Sequence, residues 1–316
     1  MDKQKIIEML RDDMRGEQQA IIQYLAHAYA LGEGEVSGGI EAIAREEMRH
    51  LDWLADAIVE LGGDPDMDRE PPDLSMAAPS VQMRKDVDLE QQAIDQYRAH
   101  MEAIEDEGLR RLLARIVHDE LVHQKEFAGF ADEFAAERDE APEEGEGQVS
   151  ERLAQILNYG VRHEYTVVLQ YLYHSFVADD CELAEEMQDA AINEMQHMGW
   201  LAEELQEKGQ QPAFEHHEPF LSRDAVANLE ADIAIEEEVT REYSTQIPQV
   251  QEDDIQEILT RVRDHEIYHA DVFRDLLAEA KERQAKAGDA APSQEPEGSE
   301  PPAGAPDAPP IGSLRK

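Results

Sequence analysis

The sequence predicts an all-α protein: two tandem four-helix bundles followed by a disordered, Pro-rich tail. Apolar residues recur at helical spacing, as in Ile6, Met9, Leu10 and Met14, and no stretch alternates as a strand does. The order of predicted elements is the same in both halves: two helices joined by a short turn, a long Pro-containing connection, and two further helices. A long connection between the second and third helix is a known connectivity of four-helix bundles, so each half is predicted to form one bundle.

Helix boundaries follow from the apolar periodicity and from the turn residues between periodic segments. The eight predicted helices cover residues 3–31, 38–61, 81–107, 109–137, 151–178, 181–208, 222–246 and 251–284. Serine hydroxyls can accept a hydrogen bond from a free backbone N–H at a helix start, so four serines are predicted N-caps: Ser37, Ser80, Ser150 and Ser222.

The spacing of these helices divides the chain into five parts. They are a first bundle (1–137), an acidic linker (138–149), a second bundle (150–285), a disordered linker (286–310) and a terminal segment (311–316). Between Ala287 and Pro310 there are seven prolines and no Val, Ile, Leu, Met or aromatic residue. Such a segment buries too little apolar surface to offset its ordering entropy, so it is predicted to be extended and disordered.

The charge balance and the cysteine content exclude several classes of function. With 28 basic and 73 acidic residues the formal charge is −45, which disfavours binding to nucleic acid and to anionic membranes. Strong acidity with few lysines is typical of proteins from salt-loving microbes, where ions screen the self-repulsion. Cys181 is the only cysteine, so Cys-rich metal sites are excluded and a reducing cytoplasm is expected. No apolar run is long enough to span a membrane.

Two short motifs each occur four times. The form Glu, six residues, Tyr occurs as Glu17–Tyr24, Glu90–Tyr97, Glu164–Tyr171 and Glu236–Tyr243, and the register of the last is set by matching the other three. The form Glu-x-x-His occurs as Glu47–His50, Glu120–His123, Glu194–His197 and Glu266–His269. Each Glu-x-x-His begins 30 residues after the Glu of the preceding Glu-x6-Tyr segment, which makes accidental register improbable.

This spacing predicts one dinuclear metal site in each half. Residues three apart share a helix face, and a step of 30 residues runs up one helix and returns down its neighbour to the same depth. Four carboxylates and two imidazoles at one level suit two divalent first-row ions. The alternative is that these groups are buried as structural ion pairs without a metal. That would be very costly, because no matching set of Lys or Arg lies at that depth. The predicted ligands are Glu17, Glu47, His50, Glu90, Glu120 and His123, and Glu164, Glu194, His197, Glu236, Glu266 and His269.

Residues 3–284 resemble bacterioferritin and related ferritin-like di-iron proteins. The segments EEMRHLDWLADAIVELGGDPD and EMQHMGWLAEELQEKGQQP each resemble the second helix of a bacterioferritin. The resemblance implies two ferritin-like bundles, with the family's ferroxidase ligands on the same twelve residues, and a homo-oligomer. Because both halves are complete, the chain looks like a fused dimer.

The resemblance also implies roles for residues beside the ligands. Tyr24 and Tyr171 would hydrogen-bond a carboxylate or donate an electron, although both could equally be core tyrosines. Met48 and Met195 occupy the position that supplies axial haem sulfurs, but core methionines are the favoured interpretation. Four further residues beside the motifs are expected to orient ligands, to line an access route or to be exposed: His118, Asp119, His163 and His265.

The segment IGSLRK at 311–316 resembles the cargo-loading peptide of encapsulin cargo proteins. The resemblance implies docking inside an encapsulin shell through Ile311, Gly312, Ser313 and Leu314. Ile311 and Leu314 would fill apolar pockets, and Gly312 would let the backbone approach closely. The expected location is therefore the cytoplasm, inside an encapsulin compartment.

The leading functional hypothesis is a ferroxidase that oxidises Fe(II) to Fe(III) with O2 or H2O2, for iron storage and detoxification inside the shell. One alternative is a peroxide-scavenging di-iron or di-manganese oxidoreductase, although no Cys-x-x-Cys unit for a self-sufficient rubrerythrin is present. Another is a metal-binding or assembly module without turnover, which two intact ligand sets disfavour.

Overall fold

The chain folds into eight long α-helices in the part that the computed structural model describes, which is residues 2–32, 34–75, 77–136 and 149–290. The helices are α1 (Lys3–Leu31), α2 (Glu35–Glu60), α3 (Pro79–Ala103), α4 (Glu107–Ala136), α5 (Glu151–Val177), α6 (Cys181–Glu207), α7 (Ala225–Gln246) and α8 (Asp253–Ala290). A short 3-10 helix, Ile247–Gln249, follows α7. The described residues contain no strand, which confirms the predicted all-α class.

Helices α1–α4 form one bundle and α5–α8 form a second. Within them α1 packs on α2, α3 on α4, α5 on α6 and α7 on α8. Each helix contributes a stripe of buried residues to its bundle, as the sequence period requires. On α4 this stripe carries apolar residues and two of the predicted metal ligands in a single line: Leu113, Ile116, Glu120, His123, Phe127 and Ala131.

The two bundles pack directly on each other, with α1 against α6 and α2 against α5. For this reason α1 is buried on most sides along its second half. The connection between α2 and α3 also reaches the second bundle, because Arg69 donates hydrogen bonds to the Phe214 carbonyl (2.6 Å) and to the Tyr165 hydroxyl (3.0 Å). The ring of Tyr29 stacks on Phe214 at the same contact.

Several helix ends differ from the predicted ones. Helix α8 continues to Ala290, so residues 286–290 are helical and do not belong to the linker. Lys and Ala favour helix here, and the first residue that prevents continuation is Pro292. The remaining linker residues, 138–148 and 291–310, lie outside the described residues, as does the terminal segment with Ile311, Gly312, Ser313 and Leu314.

Only one of the four predicted serine caps is an N-cap. Ser150 accepts a hydrogen bond from the Leu153 N–H and caps α5. Ser37 and Ser80 lie inside the first turns of α2 and α3, and α3 starts at a proline that needs no N–H partner. Asp224 caps α7 in place of Ser222. None of the described helices is long and apolar enough to cross a bilayer.

Candidate metal centres

The six predicted donors of the first bundle meet between its four helices. Their donor atoms form two groups whose members lie within 4.8 Å of one another: Glu17, Glu47, His50 and Glu120, and Glu47, Glu90, Glu120 and His123. Glu47 and Glu120 belong to both groups, so each offers one carboxylate to two ions. All six residues are at most 3% exposed.

The second bundle repeats this arrangement with the other six predicted donors. The two groups are Glu164, Glu194, His197 and Glu266, and Glu194, Glu236, Glu266 and His269. Glu194 and Glu266 are shared between the groups. The structure therefore brings all twelve predicted residues into two buried clusters of the same composition.

Unpaired polar atoms in both clusters fit divalent metal ions. Both carboxylate oxygens of Glu47 and of Glu266, and the Nδ1 atoms of His50 and His269, are buried without a hydrogen bond of acceptable geometry. His50 Nδ1 lies 2.8 Å from Glu47 Oε2 and 3.1 Å from Glu120 Oε1, so partners are near but badly aligned. Buried unpaired carboxylates are costly, and a cation between them removes the cost.

The outer nitrogens of His123 and His197 have hydrogen-bonding partners that fix the ring orientation, and the outer nitrogen of His50 lies near a carboxylate. His123 Nε2 lies 3.0 Å from Glu46 Oε2, and His50 Nε2 lies 3.6 Å from Asp119 Oδ2. His197 Nε2 lies 2.8 Å from His265 Nδ1. With the proton on Nε2, Nδ1 is free to bind a metal inside the cluster. These contacts place Asp119 and His265 beside the ligands, as two of the residues considered from the sequence.

Burial and mutual repulsion set the protonation of the first cluster without metal. Burial raises the pKa of Glu17 and Glu90 well above the usual value, and repulsion from the shared carboxylates raises it further. Burial alone would raise the pKa of Glu47, but the imidazoles of His123 and His50, whose Nδ1 atoms lie 2.9 and 2.8 Å from its oxygens, lower it to about 2. Burial lowers the pKa of His123, but the adjacent carboxylates raise it to about 11, and they also raise that of His50.

The second cluster has the same electrostatic pattern. Burial, followed by repulsion from the shared carboxylates, raises the pKa of Glu164 and Glu236. Burial opposes ionisation of Glu194, but both imidazoles hold its pKa well below the usual value. The carboxylates overcome the effect of burial on the histidines and raise the pKa of His197 to about 11 and of His269 to about 9.

A tyrosine holds the unshared glutamate at each end of the first cluster. The Tyr24 hydroxyl donates to Glu90 Oε1 at 2.6 Å, and Tyr97 donates to Glu17. Burial raises the pKa of both phenols, with neighbouring carboxylates adding to the effect, so both remain hydrogen-bond donors.

The second cluster contains the same reciprocal pair. Tyr171 donates to Glu236 Oε1 at 2.5 Å, and Tyr243 donates to Glu164. The sequence reasoning proposed Tyr24 and Tyr171 but missed Tyr97 and Tyr243. The signal was present, because all four end a Glu-x6-Tyr segment and each tyrosine serves the glutamate of the opposite segment.

A second layer of buried aspartates lies one helical turn from the unshared glutamates, and it was also missed. In the first bundle Asp86 accepts from Gln23 at 2.8 Å and lies 2.8 Å from His27 Nδ1. The reciprocal set, with the roles of α1 and α3 exchanged, is Asp13, Gln96 and His100, and the second bundle has one such set, Asp232, Gln170 and His174. The repeated spacing of Asp, Glu, Gln-Tyr and His along α1 and α3 would have identified the first two sets.

The two methionines considered for haem pack with apolar residues. Met48 is a buried member of the core, and Met195 packs partly buried against the same core. These contacts suit core methionines, and haem binding stays an untested prediction.

Comparison with known proteins identifies the family of this chain. The model of the ferritin-like domain family matches residues 7–136 and 154–283. A bacterioferritin from Desulfovibrio desulfuricans is 33% identical over 127 residues, which is 38% of this chain and 71% of that protein. A solved structure of D. desulfuricans bacterioferritin, whose diiron site was captured in different catalytic states, aligns with 30% identity and a TM-score of 0.41 over 42% of this chain and 82% of its own. A manganese catalase from Anabaena aligns with 20% identity and a TM-score of 0.37 over 49% and 83%.

Proposed function

Because the chain belongs to the ferritin-like family, we propose that it is a ferroxidase, oxidising Fe(II) to Fe(III) at one dinuclear centre in each bundle, for iron storage and detoxification. The observation that carries the proposal is the donor set. Each cluster has four carboxylates and two imidazoles, shares two carboxylates between two ion positions, and leaves buried donor atoms unpaired. Such oxygen-rich sites with one imidazole per ion suit divalent iron or manganese.

Two Fe(II) ions bound in the two positions would each give up one electron, and O2 or H2O2 would accept the two electrons. The residues of the chain set the geometry. Glu47 and Glu120 belong to both donor groups and would hold both ions, while Glu17 and Glu90 would each hold one. The hydroxyls of Tyr24 and Tyr97 keep these unshared carboxylates in place by hydrogen bonding. The raised pKa of both tyrosines leaves the hydroxyls protonated, so they remain donors. The buried surroundings keep bulk water from the cluster.

Oxidation of added Fe(II) by metal-free protein tests this proposal. Ferric absorbance and oxygen consumption should rise quickly until about four irons per chain, two for each bundle, have been added. Glu47→Ala and Glu194→Ala should each move this break to about two. Glu185→Ala, an exposed glutamate on α6, is the matched control and should leave it unchanged.

Oxidation no faster than in buffer alone would overturn the ferroxidase proposal. In that case the same protein loaded with Mn(II) should be assayed for disproportionation of peroxide. Turnover there would identify the alternative chemistry on the same ligand set.

We further propose that the chain acts inside an encapsulin shell, with the shell as the container for ferric mineral. The support is the segment IGSLRK, whose Ile311 and Leu314 suit apolar pockets. Co-expression with the cognate shell protein should package the full chain, and a chain ending at Pro310 or carrying Leu314→Asp should be left outside. Equal packaging of all three would refute the role of the segment.

A further inference from the structure

A cavity of about 400 Å³ lies between α1 and α3 in the first bundle. Its lining includes the exposed residues Asp12, Glu70 and Gln92 and the buried cluster residues Glu17 and Glu90. The cavity therefore runs from the surface to the candidate metal centre.

The lining of this cavity favours cations. It contains no Lys or Arg, although Arg15 pairs with the exposed Asp12 at the rim. Further in lies Asp13, which is buried, accepts a hydrogen bond from Gln96 and lies 2.8 Å from Nδ1 of His100, a histidine that also lines the cavity. The attraction therefore depends mainly on the other carboxylates, such as Glu70 at the surface and Glu17 and Glu90 at the inner end. Gly16 also lines the cavity, and a Cβ atom placed there would meet nothing within 4 Å. Wide space and carboxylate lining together form a route along which a divalent ion can reach the cluster.

The second bundle has aromatic residues at the corresponding positions. His163 precedes Glu164 as Gly16 precedes Glu17, and Tyr159 stands five residues before its glutamate, as Asp12 does. The His163 ring is only 7% exposed and stacks on Tyr159, with ring centroids 6.3 Å apart.

This aromatic pair covers the end of the second cluster. Tyr159 packs edge-on against Tyr243 at 6.4 Å, and Tyr243 donates its hydroxyl to Glu164. The position of Asp13 is taken by Gly160, where an added Cβ would lie 2.9 Å from the Tyr243 hydroxyl. The carboxylate and the open space of the first bundle are both replaced by packed rings.

We propose that the two centres load with metal at different rates: the first quickly through the acidic cavity, the second slowly behind Tyr159 and His163. The inference deepens the proposed function and rests on it for the identity of the metal. Attraction by a carboxylate-lined cleft raises association rates by about tenfold or more, so at least that separation of rates is expected.

Binding of Co(II) tests the proposal without any oxidation step, because the visible absorbance of the ion reports its coordination. Metal-free full chain mixed with about four equivalents of Co(II) should bind in two phases of similar amplitude. Glu47→Ala should remove the fast phase and Glu194→Ala the slow one. A single phase, or the reverse assignment of the phases, would overturn the proposal.

Exchanging the access residues gives the sharper test. Tyr159→Asp with His163→Ala should accelerate the slow phase about tenfold, and Asp12→Tyr with Gly16→His should slow the fast phase by a similar factor. Final occupancy should stay near four ions per chain in both variants, which shows that each remains folded. Rates unchanged by both exchanges would refute the role of these residues.

Failure of the inference and failure of the proposed function give different results. Suppose that Fe(II) oxidation is rapid up to about four irons per chain but that Co(II) binds in a single phase. This result would refute only the proposed difference in metal access between the two centres. Two-phase Co(II) binding that responds to the exchanges, with Fe(II) oxidation no faster than in buffer, would sink only the ferroxidase proposal.

Discussion

Metal binding should release protons from both clusters, and affinity should therefore rise with pH. Without metal, the histidines hold protons at neutral pH because the neighbouring carboxylates raise the pKa of His123 and His197 to about 11 and of His269 to about 9. The metal requires the unprotonated Nδ1 atoms. Protons and metal compete for the same atoms, so lowering the pH favours the metal-free state.

The size of the effect follows from the number of groups that must lose a proton. Each bundle contains two such imidazoles, and the raised pKa of the unshared glutamates, such as Glu17 and Glu90, adds up to two further protons. Filling one bundle should release about two to four protons. The combined binding constant for its two ions should then rise by at least about 100-fold per pH unit near neutrality.

Calorimetric titration with Co(II) in buffers of different ionisation enthalpy measures this release directly. His123→Gln should reduce it by about one proton in the first bundle. His217→Gln, in the exposed connection between α6 and α7, is the control and should change nothing. Release of less than about one proton per bundle from the unmodified chain would refute the reasoning, because the imidazoles would then already be free of protons.

Three other substitutions test the packing around the clusters. Tyr97→Phe should weaken Co(II) binding in the first bundle by about tenfold or more, since its glutamate loses the donor that holds it; Tyr29→Phe, at the contact between bundles, should leave equilibrium binding unchanged. Gly160→Ala should lower the free energy of unfolding by about 1–3 kcal/mol because the methyl has no room, while Gly16→Ala should raise it by up to about 1 kcal/mol; equal effects in denaturant unfolding would contradict this. Arg69→Ala should cost about 1–2 kcal/mol through two lost hydrogen bonds to the second bundle, and an unchanged unfolding midpoint would argue against a tight contact.

The helices and the meeting of the twelve donors could be predicted because both depend on local periodicity. Glu47 and His50 share a helix face by spacing alone, and the constant step of 30 residues brings successive motifs to one depth. The helix ends were harder to predict from the sequence. Ser37 is a good N-cap by residue type, yet α2 starts earlier at Glu35 and the serine falls within its first turn. Competition between neighbouring start positions is decided by packing that no local pattern records.

Other parts of the centres depend on contacts between distant segments. Tyr97 serves the glutamate of the opposite helix, and that exchange becomes evident only when α1 and α3 are side by side. The same is true of the cavity. The sequence shows that Gly16 of the first half is replaced by His163 in the second. Whether this replacement opens or closes a cavity depends on the space between two helices, which the sequence does not show.

Joining two bundles in one chain allows paired positions to differ, which a symmetric dimer of identical chains does not permit. The ligands are the same in both bundles. Next to them, however, the position of Gly16 in the first half is occupied by His163 in the second, and that of Asp119 by His265. These two differences lie at residues that line the approach to the ligands or orient them. Equal ligand sets imply equal final occupancy, and unequal approaches imply unequal rates. Soon after metal is added, the first bundle should therefore hold more of it than the second, and uptake should proceed in two steps.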